Sequence, residues 1–447
     1  MLKSSGDGTT TAPLLIGGVT VKKWSFLLTL AVLLACFCGC QKEQQPQKKD
    51  PVSQYKSSGT YTDLGEDQLT WEGLNALPKK YAGMPTDEAR ETVVAFWRYC
   101  KTALWIPDDR YDIYEEEDDG TKVLKRWMEP GGVYAGLPYK GTSTGSLYRL
   151  FDFMDPETGV VNIAEAGRDP LIFGGMCSSG CYWAWARVMN SADYRWCNDS
   201  VYTRGYLPVG PYTYDLSILK LVNDGDMGTD NICADNGEQV MYQSYANMKI
   251  ADGLIAVWEK NGHTMMCSVA PTVVYNEDGT IDGQKSFLCV TEQGGSWDPG
   301  VSKGGIPYEY EYSLDKKFTF TTLFKQCYIP YTFADLTGEE PIEETEVTFH
   351  YEGDTITMEQ LFGTKVSSNY HLSDIYAYVY DEAGNEILKH AVRIRTPSTK
   401  EMKVYRMGNV YTWGSWDELA AGEYAIKVEV QLGTGERPTV YEGKLIV

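Results

Sequence analysis

The sequence predicts an α+β domain followed by a small all-β sandwich. Three observations support this: an amphipathic helix pattern over residues 84–105, β-rich segments from about residue 251, and short alternating segments after residue 344. Helices followed by strands are typical of an α+β domain, and short strands separated by turns are typical of a sandwich. We place the first domain at residues 76–338 and the sandwich, which we expect to be immunoglobulin-like, at residues 344–447.

The first domain is predicted to begin with helices and continue as an antiparallel sheet. In the segment MPTDEARETVVAFWRYCKTALW, Thr86 can cap a helix, acidic residues follow in the first turn, and Val93, Phe96 and Trp97 share one face. The later segments GLIAVWE, HTMMCSVAPTVVY and KSFLCVTEQ are separated by KNG and NEDGTIDG, which are typical turn sequences. KKFTFTTLF and YIPYTFADL extend the predicted series of strands.

A charged, proline-containing break, TGEEPIEETE, separates the two predicted domains at residues 337–346. The segments after it are VTFHY, DIYAYVYDEAGNEIL, HAVRIRT, YAIKVEVQL and TVYEGKLIV. Turn residues recur between these segments and no long helix pattern interrupts them, which favours a sandwich. We therefore expect the break to be an exposed linker and residues 344–447 to fold on their own.

Residues 1–40 have the features of an export signal. Two lysines precede the apolar run WSFLLTLAVLLACFCGC, and a polar segment follows it directly. The run is short for a membrane-spanning helix and resembles a bacterial lipoprotein signal, whose last cysteine carries the lipid. Cys40 is the favoured lipid site and Cys36 the alternative, and an uncleaved membrane anchor also fits the pattern. We expect a protein held by lipid at the outer face of the bacterial cell membrane, with residues 41–75 as a flexible tether.

Composition narrows the classes of partner. The net charge of -22 argues against nucleic-acid binding through a basic surface. The 32 tyrosines and 12 tryptophans suggest a surface that binds sugars or peptides. Cysteines with C-x-x-C spacing do not occur, so neither a zinc site nor a thioredoxin-type redox motif is expected.

The histidine count limits where cysteine–histidine chemistry can occur. The chain has four histidines, and three of them lie in the predicted sandwich. His263 is therefore the one candidate base in the first domain. It follows a turn at the head of a predicted strand, where a side chain can face a cleft. The alternative is a structural histidine that caps this turn.

Two cysteines, Cys177 and Cys181, compete for the role of nucleophile in FGGMCSSGCYWAWARV. Cys177 begins the predicted helix. There the helix dipole and the first N–H groups, around Ser178 and Ser179, which the helix itself does not use, favour a thiolate and can hold an oxyanion. Cys181 lies one turn further along the helix, on the apolar face that includes Trp185 and is expected to pack against the core. This favours Cys177 as the nucleophile, while a purely structural role for both cysteines stays open.

These motifs, in this order, resemble the NlpC-type papain-like cell-wall peptidases over residues 130–295. The CSS that starts at Cys177 resembles the Cys-Ser opening of their nucleophile helix, and YANMKIADGLIAVWEKNGHTMMCSV is similar to their GD-to-GH segment. In this resemblance Asp252 and His263 match the family's aspartate and catalytic histidine. A polar residue on the next strand orients the histidine, a position that Glu292 or Gln293 can fill. GGVYAGLPYKG resembles the G-x-PY element, which places Tyr139 at the site.

The resemblance implies a papain-like first domain that cleaves amide bonds, with peptides of the cell wall as substrates and no cofactor. Its catalytic residues would be Cys177, His263 and either Glu292 or Gln293. SGCYWAWA is also similar to the papain segment C-G-S-C-W-A, which would make Cys181 the nucleophile. A different class of function also fits: an inactive surface lipoprotein that binds glycan or protein through both domains.

Overall fold

A computed structural model describes residues 68–447 except for 117–119, 137–144, 168–176, 191–205, 214–227, 259–260, 294–313, 395–398 and 406–409. The chain divides into two compact units, Met1–Lys49 and Asp50–Val447, and every described residue belongs to the second. The predicted signal with Cys36 and Cys40 therefore lies outside the described residues. Within the described part of the chain, none of the helices is long and apolar enough to cross a membrane.

The N-terminal half of the described chain contains seven α-helical segments of very different length. They are α1 (Trp71–Ala76), α2 (Thr86–Thr102), α3 (Leu147–Leu150), α4 (Ile163–Ala166), α5 (Cys177–Trp185), α6 (Thr229–Ala246) and α7 (Phe320–Lys325). Helix α1 overlaps the end of the predicted tether and buries Leu74, so the fold begins before residue 75. Residues 41–67 of the predicted tether are outside the described residues.

The main sheet of this half is antiparallel and has six strands. They are β6 (Tyr206–Pro208), β7 (Gly253–Trp258), β8 (Asn261–Thr272), β9 (Phe287–Glu292), β10 (Lys316–Thr319) and β11 (Ile329–Phe333), in the spatial order β10-β9-β8-β7-β11-β6. The smaller strands are β1 (Leu104–Pro107), β2 (Tyr111–Glu116), β3 (Lys122–Met128), β4 (Tyr134–Ala135) and β5 (Val160–Val161). Strands β2 and β3 form a hairpin, and β1 lies between β4 and β5.

Helices α2 and α5 pack against the sheet through tryptophans. Trp97 of α2 donates a hydrogen bond from Nε1 to the carbonyl oxygen of Thr291 at 3.0 Å. Trp185 of α5 donates one to the carbonyl oxygen of Ala251 at 2.7 Å. Both indoles are buried, so each anchors a helix by apolar area and satisfies its polar N–H group. These contacts fix the position of α5, the helix that begins at Cys177.

The predicted helix and strands occur, with three local corrections. Thr86 is the first residue of α2 and not its cap, which is Pro85. The predicted strand KKFTFTTLF is a strand only up to Thr319, whose side-chain oxygen accepts from the N–H of Thr322 and starts α7. Helix α6 was not predicted from the sequence, because Gly237 (φ 74°) breaks its helical periodicity.

The C-terminal half consists of two sheets around a core of its own. The six-stranded sheet contains β13 (Thr355–Thr357), β15 (Leu372–Tyr380), β16 (Glu386–Arg393), β18 (Val410–Trp413), β19 (Glu423–Leu432) and β20 (Thr439–Ile446). The three-stranded sheet contains β12 (Val347–Phe349), β14 (Lys365–Ser368) and β17 (Glu401–Lys403). One short helix, α8 (Met358–Gly363), follows β13. Helices and antiparallel sheets together confirm the α+β class.

Buried ion pairs connect the two halves. Arg149 Nε lies 2.9 Å from Asp374 Oδ1, and both side chains are fully buried. Asp152 contacts Lys389 Nζ at 2.6 Å and Arg393 Nη1 at 2.7 Å. Charges persist inside a protein when each has a partner, so these residues depend on the two halves staying together. Independent folding of residues 344–447 stays a prediction.

Candidate active site

Cys177 is the first residue of α5 and is half-buried. Its sulfur accepts hydrogen bonds from two backbone N–H groups, that of Ser178 in the same helix and that of Thr264 in β8. The first N–H groups of a helix have no partner within the helix, so the start of α5 suits a negatively charged sulfur. The helix and the sheet therefore both contribute donors to this thiol.

His263 and Glu292 meet because of the register of the sheet. Glu292 in β9 pairs with Met265 in β8, and His263 lies two residues before Met265 on the same face. Side chains at such diagonal positions are within reach of each other. Nε2 of His263 and Oε2 of Glu292 are 2.6 Å apart, a short distance typical of a charge-assisted hydrogen bond.

The imidazole of His263 connects Glu292 to Cys177. Its side chain hydrogen-bonds to the Cys177 thiol, and because Nε2 is occupied by Glu292, Nδ1 is the nitrogen left for the sulfur. The side chain of His263 is 20% exposed, so small molecules in solvent can approach the pair. The three residues form a continuous Cys–His–Glu chain of hydrogen bonds.

The pKa values of this group favour a thiolate and an imidazolium. Burial raises the pKa of Cys177, but the hydrogen bond and charge of His263 and the two backbone donors outweigh it and lower the pKa. Burial lowers the pKa of His263, but its hydrogen bonds to Cys177 and Glu292 raise it to about 9. Both shifts favour placing the proton on His263 and the negative charge on the sulfur of Cys177.

Glu292 has a second partner that the sequence analysis missed. Lys316 Nζ lies 2.8 Å from Oε1 of Glu292, so each carboxylate oxygen contacts one cation. Burial raises the pKa of Glu292, but the hydrogen bonds and charges of His263 and Lys316 lower it to about 2. The signal in the sequence was the strand KKFTF, whose antiparallel pairing with β9 puts Lys316 diagonal to Glu292.

Cys181 lies in a different environment. It is fully buried, in the same core as Trp185 and Val188. Burial and the nearby Cys177 thiolate raise the pKa of its thiol well above the usual value. A thiol that stays protonated and has no access to solvent cannot serve as a nucleophile, so the geometry favours Cys177.

The other predicted site residues have varied positions. Ser178 is half-buried at the start of α5 and Ser179 is buried one residue further on. Gln293 does not take the place beside His263, which Glu292 occupies; its side-chain oxygen lies against Gly180 of α5. Tyr139 lies outside the described residues.

Asp252 supports the sheet and does not contact the candidate site residues in the described contacts. Its Oδ1 lies 2.7 Å from Arg90 Nη1, and its Oδ2 accepts the N–H of Lys249. Both side chains of the ion pair are buried. A cavity of about 770 Å³ opens beside this pair, but its lining residues include none of the Cys–His–Glu group. We therefore assign Asp252 a structural role.

Many of the aromatic side chains are buried and form part of the core. Trp97, Trp105 and Trp185 are buried in the core, and Tyr148 and Tyr182 are also buried. The high aromatic content therefore does not by itself indicate a sugar-binding surface. Within the described residues, no group of three or more metal-binding side chains comes together.

Comparison with known proteins does not assign a family. No protein-family model matches the chain, and no match is found among curated proteins.

Proposed function

We propose that this protein is a cysteine hydrolase that cleaves amide bonds, with Cys177 as nucleophile, His263 as acid–base and Glu292 as the residue that orients His263. The observation that carries the proposal is the continuous chain of hydrogen bonds from Cys177 through His263 to Glu292. A nucleophile, a base within reach and a third group that orients the base are the elements of a catalytic triad.

In the first half of the reaction, the Cys177 thiolate attacks the carbonyl carbon of the amide. A bond forms between sulfur and carbon, and the carbonyl oxygen becomes an oxyanion beside the N-terminus of α5. His263, which already carries the proton, gives it to the amide nitrogen. The C–N bond then breaks, which releases the amine and leaves a thioester on Cys177.

In the second half, water resolves the thioester. His263 is now neutral and takes a proton from the attacking water, while Glu292 stabilises the imidazolium that forms. The C–S bond breaks, and the carboxylic acid product leaves. Cys177 and His263 return to the thiolate–imidazolium pair, so the cycle needs no oxidant, metal or organic cofactor.

A papain-like arrangement fits this proposal for the N-terminal half. Its supporting features are a helix with the cysteine at its N-terminus, packed against an antiparallel sheet with the histidine and the acid on neighbouring strands. The resemblance of the motifs to NlpC-type peptidases points the same way. The two facing sheets of the C-terminal half are compatible with an immunoglobulin-like sandwich.

The sequence motifs support a proposal for the substrate and the location. We propose peptides of the bacterial cell wall as substrates, because of the resemblance to NlpC-type peptidases. The apolar run that ends at Cys40 supports an exported lipoprotein, which would hold the enzyme at the membrane surface where such peptides occur.

The test is to incubate the purified full chain, in detergent, with soluble cell-wall peptides and with unrelated peptides. We expect new amine and carboxylate termini in the wall peptides, detected by mass spectrometry, and no cleavage by Cys177→Ala. Rapid iodoacetamide labelling of Cys177 at neutral pH should accompany cleavage. An unreactive Cys177 would refute the proposal and favour the binding lipoprotein instead.

A further inference from the structure

Lys316 contacts the candidate active site from a strand that the motifs do not include. It is in β10, and its Nζ lies 2.8 Å from Oε1 of Glu292. The pairing of Lys316 with Val290 places it diagonal to Glu292 on the same face of the sheet. The Lys316 side chain is 42% exposed, whereas that of Glu292 is only 11% exposed.

We propose that Lys316 is a positioning residue of this site: its ammonium group holds Glu292 ionised and oriented, so that the carboxylate can bind and stabilise the protonated His263. The inference rests on the proposed function, since it concerns how the same Cys–His–Glu group keeps its charges.

The division of the two carboxylate oxygens supports this role. Oε1 is bound by Lys316 and Oε2 by His263, so Lys316 fixes the rotation of the carboxylate that presents Oε2 to the imidazole. A buried carboxylate with one cationic partner is protonated more readily than one with two. With Lys316 in place, Cys177 should therefore remain a thiolate and His263 an imidazolium down to a lower pH.

Three other described titratable groups near the site are neutral in this pH range. Cys181 in α5, Tyr328 before β11 and Tyr331 in β11 interact electrostatically with Cys177 or Glu292. Burial raises the pKa of all three, so they stay neutral at acid and neutral pH. Among the described residues, the charged groups that interact directly at the site are then Cys177, His263, Glu292 and Lys316.

The neighbouring lysine offers a matched control. Lys317 is exposed on the same strand, and because side chains alternate along a strand it points to the opposite face. Its Nζ lies 3.5 Å from the centre of the Phe287 ring and contacts no residue of the site in the described contacts. Lys317→Met therefore removes the same charge from β10 without removing the contact to Glu292.

The experiment measures the rate of Cys177 alkylation by iodoacetamide between pH 3 and pH 8, by mass spectrometry of the intact full chain. The midpoint at which the thiolate forms should rise by about half a pH unit in Lys316→Met, because a cation is lost from beside Glu292. Lys316→Arg should restore the midpoint, and Lys317→Met should leave it unchanged. Added salt should raise the midpoint of the wild type more than that of Lys316→Met.

The two possible failures differ. If the wild-type thiolate forms only at the pH of an ordinary thiol, Cys177 is not activated and the proposed function fails. If the wild-type midpoint is low but Lys316→Met shares it, Cys177 is activated without Lys316 and the inference is overturned. A merely structural lysine would lower the melting temperature without moving the midpoint, which would also overturn it.

Discussion

Glu292→Gln tests how strongly the carboxylate holds the proton on His263. The pKa of His263 rises from 6.5 to about 9 because its hydrogen bonds to Cys177 and Glu292 outweigh burial. This rise corresponds to about 3 kcal/mol in favour of the imidazolium. Glutamine keeps the size and one oxygen acceptor but loses the negative charge 2.6 Å from Nε2.

Loss of that charge must lower the pKa of His263, because the imidazolium loses its counter-ion while Lys316 stays close by. If Glu292 supplies about half of the stabilisation, the pKa falls by about one unit. The lower pKa of His263 should also move the alkaline limb of the pH–rate profile of hydrolysis to lower pH, because the imidazolium must donate its proton to the leaving amine.

Nuclear magnetic resonance of protein labelled with ¹³C-histidine measures this pKa without substrate. The chain has four histidines, so the spectrum has few signals, and His263→Gln assigns the one that matters. His390 is an internal control: burial lowers its pKa to about 4, and its signal should titrate alike in both proteins. An unchanged His263 midpoint in Glu292→Gln would refute the reasoning, as would a wild-type midpoint below 7.

Three further predictions follow from the same structure. Cys177→Ala should abolish hydrolysis with little change in melting temperature, whereas Cys181→Ala should cost about 1–2 kcal/mol of stability; the reverse pattern would exchange their roles. Gly180→Ala should lower the free energy of unfolding by about 1–3 kcal/mol, because a Cβ at this position would lie 2.5 Å from the indole ring of Trp97. Gly363→Ala is the control and should leave the stability unchanged, because no atom lies within 4 Å of a Cβ at that position. Mass spectrometry of membrane extracts should find lipid on Cys40, and a chain starting at Met1 would contradict this.

The N-terminal half shows how much of a site the sequence can predict. Cys177, His263 and Glu292 were predicted because each has a local signal: a helix start, a histidine count and the strand after the histidine. The strand pattern KKFTF around Lys316 is visible in the sequence, but the contact to Glu292 depends on the pairing of β10 with β9 across more than twenty residues. The choice of Glu292 over Gln293 also required the register, because adjacent strand residues point to opposite faces.

The prediction of secondary structure from the sequence failed in two segments, KKFTFTTLF and helix α6. KKFTFTTLF is rich in residues that favour strands, yet Thr319 caps α7 within it, and buried Phe320 and Leu323 hold the helix in the core. Helix α6 escaped prediction because Gly237 interrupts it at a positive φ. The first case required knowledge of the core that surrounds α7, whereas the second depends on a local change in the backbone of α6.

The contact between helix α5 and the C-terminal half could not have been predicted from the sequence. Tyr182 in α5 hydrogen-bonds through its hydroxyl to Nδ1 of the buried His371, and Ala186, just beyond α5, packs so closely on Gly433 that no Cβ would fit there. Helix α5 has only nine residues, so a constraint at its C-terminal end also restricts Cys177 at its start. Because His371 and Gly433 both lie in the predicted sandwich, the C-terminal half contributes to the position of Cys177. The boundary suggested by TGEEPIEETE therefore separates the two halves in sequence more completely than in structure.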